Sequence, residues 1–176
     1  MKTLTLYHGT NDIFDEFSND FLSGDDSIDQ YGSGFYFYTT PAKTALHGYI
    51  RVTATVTINK TINVSKFKRV PLDVVESLIC VAPDMESVLE NFGDINQLGF
   101  DKVLKIAVKS YRDLDVIDCL NSIGNDFFHK KDTHILLSKY AKLTGYDALY
   151  VKERNIYVIL TKKQISITNV ISIDEE

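Results

Sequence analysis

Tyr7-His8-Gly9-Thr10 closes an alternating run over residues 3–8, so a histidine stands where a strand opens into a loop. Gly9 bares main-chain groups there that a ligand can approach closely, and such an edge can read an amide. Taken alone, a strand-end histidine is more often structural than catalytic. A second constellation follows in residues 31–49, YGSGFYFYTTPAKTALHGY, with a glycine turn, an aromatic run and a proline-led segment. Strand alternation puts Phe35 and Phe37 on one face and Tyr36 and Tyr38 on the other. One face suits a core, and the opposite one suits a cleft for a flat ring. Other patterns carry less. His129 and His134 beside Asp132 lack a third ligand and read as a solvated turn, so no metal is expected. No serine or cysteine nucleophile elbow and no phosphate loop of the G-x-x-x-x-G-K-[ST] type occurs.

The elements that must position these residues are strands at both ends of the chain. Residues 34–39 and 51–58 read as strands, and Pro41 opens a short helix between them, where its missing N–H is not needed. Over residues 72–140 the apolar positions recur at helical spacing: Val74, Val75, Leu78 and Ile79, then Val88, Leu89 and Phe92, then Val116, Ile117 and Leu120. Leu143-Thr144-Gly145 is a helix stop, and residues 148–152, 156–160 and 165–171 are strand-like. KFKRVP and NFGDINQLGFD read as loops. The expected fold is α+β: one domain over residues 1–176, with a core from 1–68 and 138–173 and a helical insertion at about 70–137.

Composition narrows the function classes. The 176 residues suffice for one buried core, and 44% hydrophobic with 24% charged residues is ordinary for a globular chain. Cys80 and Cys119 lie in apolar stretches, which predicts buried free thiols and a reducing cytoplasm. The first residues turn polar too soon for a signal peptide, and no run approaches the roughly 18 apolar residues of a spanning helix, so no membrane association is expected. With a formal net charge of -5 there is no basic face for a phosphate backbone, which argues against nucleic acid as the partner.

The order of motifs is then informative: a strand ending in HG[ST], phenylalanines at Phe14, Phe17 and Phe21, G-x-G-[FI]-Y-F, a helix with A-x-x-x-Y, and an alternating strand. With residues 143–170, LTGYDALYVKERNIYVILTKKQISITNV, this order resembles the diphtheria-toxin-like ADP-ribosyltransferases, which include the poly- and mono-ADP-ribosyl polymerases and small phage and bacterial relatives. The resemblance covers about residues 4–65 and 140–172, and the helical middle matches no known pattern. It implies a split β-sheet core with NAD as substrate and no metal. It implies release of nicotinamide and transfer of one ADP-ribose to a protein acceptor, a host factor in the cytoplasm, as by a phage or bacterial effector.

By position, the resemblance has His8 bonding a hydroxyl of the nicotinamide ribose, Gly9 clamping the carboxamide through its main chain, and Thr10 completing that turn. Tyr36 would stack on the nicotinamide ring, Thr44 would reach the carboxamide, and Tyr49, with His47 as the alternative, would supply the opposite stacking face. Where active relatives carry a glutamate this chain has Ile156, so the catalytic triad reads His8, Tyr36, Ile156; Glu153 could substitute only through a bulged loop. That pattern goes with single transfer or with lost activity. The alternatives are therefore a silent relative that binds NAD, ADP-ribose or a protein by occupancy, and an RNA-directed transferase. Target recognition is expected in the insertion, since sites on a shared fold diversify through appended segments.

Overall fold

The structure, a computed structural model, describes residues 1–18, 34–63, 69–128 and 133–173, without the side chains of 117 and 133–135. Phe21, Tyr31, Gly32, His129, Asp132 and the His134 side chain, named above, lie outside the described residues. The chain divides into two compact units, Met1–Ser65 with Gly145–Glu176, and Lys66–Thr144.

The first unit carries the strands: β1 (Lys2–Thr10), β2 (Phe35–Tyr38), β3 (Ile50–Ile58), β4 (Thr61–Asn63), β5 (Ala148–Val151), β6 (Ile156–Ile159) and β7 (Ile165–Ser172). They form one sheet in the order β4-β5-β6-β2-β1-β3-β7, in which only β4 and β5 pair in parallel. With helices in the second unit, the chain is α+β, as its sequence predicts. β1 and β3 pair along their whole length, from Lys2 opposite Ile58 to Thr10 opposite Ile50. Between β1 and β2 the register holds one pair, Tyr7 opposite Tyr38, so the two halves of the sheet meet at a single point.

In β3, IRVTATVTI, every second residue is buried, which is the burial of a strand with one face on a core. That core gathers Leu6, Phe35, Phe37, Val52, Val56, Ile58 and Ile159 around Phe17, whose ring lies 5.2 Å from those of both Phe35 and Phe37. Asp147, the acid of the GYD turn, ties down the turn between β3 and β4. Its carboxylate accepts from the main-chain N–H groups of Asn59 and Lys60, each at 2.9 Å, and from Asn59 Nδ2 at 3.1 Å. Asp147→Ala is therefore expected to cost about 2 kcal/mol of stability, read by urea unfolding, because two main-chain donors lose a charged acceptor.

The second unit holds α1 (Leu72–Ile79), α2 (Met85–Leu89), α3 (Ile95–Leu98), α4 (Phe100–Ser110), α5 (Val116–Phe127) and α6 (Thr133–Leu143). α1 buries Val74, Val75, Leu78 and Ile79, the positions that its spacing marks. The segment read as a loop at NFGDINQLGFD instead forms α3, whose first N–H groups are capped by Asp94, and the first turn of α4. Cys119 is buried, and burial pushes its thiol up to about 11. Cys80 departs from its expected burial: it is exposed, because it follows Ile79 at the end of α1, one position past the apolar stripe. No helix among the described residues is long and apolar enough to cross a membrane.

Candidate functional site

The site forms where β1 and β2 part. Beyond the Tyr7–Tyr38 pair the Tyr36 carbonyl takes its hydrogen from a side chain: His8 Nδ1 lies 2.8 Å from it. Because a carbonyl can only accept, Nδ1 carries the proton, and in the neutral ring Nε2 is left as an acceptor. The imidazole sits among aromatic rings, with centroids 5.2 Å from Phe17, 5.8 Å from Phe37 and 6.3 Å from Phe14. Burial in these surroundings holds His8 below its ordinary 6.5; the Tyr36 carbonyl works against that shift, and the charge of nearby His47 adds to it.

A depressed histidine means that the unfolded chain binds the proton more readily. Stability conferred by neutral His8 is whole above about pH 6.5 and is lost as pH falls through the lower folded value. Thermal unfolding between pH 7 and pH 5 should show a drop that His8→Asn reduces, since asparagine can still donate to the Tyr36 carbonyl but takes up no proton.

Gly9 serves the packing of the next element. A Cβ there would stand 2.2 Å from the Thr44 carbonyl oxygen and 3.1 Å from His47 Cβ, so the 3-10 helix Pro41–Leu46 lies directly on the glycine. Gly9→Ala should accordingly cost about 1–3 kcal/mol in a melting experiment, as overpacking does when backbone has to move. Thr44 is fully buried, and its hydroxyl donates to the Pro41 carbonyl at 2.7 Å. Its hydroxyl is thus spent on a bond back along its own helix, and a carboxamide could reach it only as a hydrogen donor after a local shift. Thr10 is also used locally, its hydroxyl accepting from the Asp12 N–H at 3.1 Å.

Both candidates for the second stacking ring are exposed, but His47 stands beside Gly9, whereas the Tyr49 carbonyl accepts from the N–H of Ile173, just past β7. His47 stacks on Tyr38, centroids 5.4 Å apart at 27°, and Nε2 meets the Tyr38 hydroxyl at 2.5 Å. Tyr38 stands at the candidate site although motif matching passes over it, and the alternation of FYFY sets it on the face of Tyr36. Burial pushes its phenol above the usual range, and the charge of Arg154 opposes that shift.

Ile156 lies directly opposite Tyr38 in the β2–β6 ladder, on the same face, and is buried. Glu153 lies in the exposed turn that joins β5 to β6. That turn is braced at Asn155, which has φ 55, by the Thr39 N–H on its carbonyl, and at the Arg154 carbonyl by Lys43 Nζ, 2.9 Å away. His8, Gly9, Thr44 and His47 thus stand together, with Tyr36 joined through its carbonyl and Ile156 reached across Tyr38. No group of three or more His, Cys, Asp or Glu side chains among the described residues stands where it could hold a metal.

No family model matches the chain, and no curated protein matches it. Among solved structures, one described as the crystal structure of an anti-CRISPR protein aligns over 96% of each chain, with 15% sequence identity and a TM-score of 0.42.

Proposed function

We propose that the chain binds NAD at the parting of β1 and β2, cleaves its nicotinamide–ribose bond and transfers a single ADP-ribose to a side chain of a protein partner, a host factor. The observation that carries this reading is the contact of His8 Nδ1 with the Tyr36 carbonyl, which fixes the proton on Nδ1 and leaves Nε2 as an acceptor of the kind a ribose hydroxyl needs. The aromatic groups Tyr36 and His47 offer flat faces of the kind a nicotinamide ring needs; Gly9 is buried beneath the 3-10 helix, so its main chain would meet the carboxamide only after that helix shifts.

Cleavage of that bond develops oxocarbenium character on the ribose. Holding both the ring and the sugar while the bond stretches lowers the barrier by binding alone. With Ile156 at the third position there is no carboxylate to polarise a sugar hydroxyl, so chain elongation is not expected. The buried Ile156 equally favours a second reading, occupancy without turnover.

The two readings separate in one experiment. The purified chain is incubated with NAD and host extract, and proteins are searched by mass spectrometry for added ADP-ribose while nicotinamide is assayed in solution. Transfer gives both signals. NAD binding with neither signal identifies the silent binder, and no NAD binding removes both readings.

A further inference from the structure

We propose that Tyr38 and His47 form a proton-accepting dyad that does the work of the missing carboxylate, with Tyr38 as the catalytic residue and His47 as its positioning partner and proton acceptor. The inference rests on the NAD-cleaving reading. Three observations meet here. Tyr38 is the cross-strand partner of Ile156, so its side chain leaves the sheet on the same face beside the position where a carboxylate would stand. Its hydroxyl is 2.5 Å from His47 Nε2, and the two rings stack. His47 is exposed, so a proton that it receives can leave to water, and it stands beside Gly9 at the proposed carboxamide clamp.

With the His47 proton on Nδ1, the Tyr38 hydroxyl donates to Nε2 and its oxygen can accept from an incoming nucleophile. With water as nucleophile the step balances. The bond from ribose C1′ to the nicotinamide nitrogen breaks, and its electron pair goes to that nitrogen. The water oxygen bonds C1′, its proton passes to Tyr38 Oη, and the phenol proton passes to His47 Nε2. The imidazolium then returns a proton to solvent. A phenol alone is a poor base near neutral pH, and the histidine makes the relay competent by taking the second proton. Burial disfavours a free phenolate at Tyr38 and the charge of Arg154 offsets this only in part, so the phenol proton has to pass to His47 in step with the transfer to Oη.

The test measures nicotinamide release from NAD by the full chain, with water as the acceptor, alongside NAD affinity by calorimetry. Tyr38→Phe keeps the ring stack and loses only the hydroxyl. It should lower release about 10²-fold while NAD affinity holds. His47→Ala should lose release as well, and added imidazole should restore part of it, which a structural role of His47 would not allow. Ile156→Glu in the Tyr38→Phe background should also recover release, because a carboxylate then stands beside the vacated position. If folded Tyr38→Phe releases nicotinamide at the wild-type rate, or imidazole gives no rescue of His47→Ala, the dyad is wrong and NAD cleavage stands. A wild type that binds NAD and releases none overturns the cleavage reading itself, and the dyad with it.

Discussion

Replacing Ile156 with glutamate is expected to raise nicotinamide release about 10²-fold, the lower part of the range that a positioned general base contributes. The gain falls at the low end if, as proposed, the Tyr38–His47 pair opposite that position already accepts a proton. Burial also works against it. Ile156 is only 6% exposed, so a carboxyl placed there is held above the usual carboxylate range and is a weaker base near neutral pH until water or an acceptor enters. The variant should therefore show a further climb in rate across the pH range where that carboxyl ionises, added to the dependence that a histidine acceptor gives wild type. Circular dichroism checks first that the sheet survives a carboxyl in β6. A folded variant that binds NAD and gains no rate would mean that position 156 does not face the reacting bond.

The second large effect is on binding. His8→Asn should weaken NAD by about 1–3 kcal/mol, the cost of leaving a ribose hydroxyl without its acceptor, or roughly 5- to 150-fold in Kd. Asparagine is the informative replacement, because its amide can keep the Tyr36 carbonyl satisfied at the end of the β1–β2 pairing while removing Nε2. His8→Ala would mix two losses, the acceptor and the bond that holds the strand ends together. If His8→Asn folds and binds NAD like wild type, the acceptor is another group.

Much of this arrangement is legible in the sequence, and the reasons are local. β3 declares itself through strict alternation, with Val52, Ala54, Val56 and Ile58 inward and threonines between them. The stripe of α1 and the helix stop at Gly145, whose φ is 74, are equally plain. What the sequence hides depends on contacts distant along the chain. Glycines at 93 and 99 disguise a short capped helix and the start of α4 as one loop. The three residues of β4 are too few to show a period and gain their partner only from β5. At the site, the resemblance and the alternation single out His8, Gly9 and Tyr36, yet the choice between His47 and Tyr49 turns on how the 3-10 helix lies against Gly9. The burial of Thr44 follows from the same packing and reverses the exposure expected of a ligand-binding hydroxyl.

Calorimetric titration of the full wild-type chain with NAD, followed by assay of the same solution for nicotinamide, tests the central claim most directly. A saturable heat, weakened in His8→Asn, with nicotinamide accumulating over time is the predicted result. Wild-type protein that is folded by circular dichroism and yields neither a binding heat nor nicotinamide would contradict it.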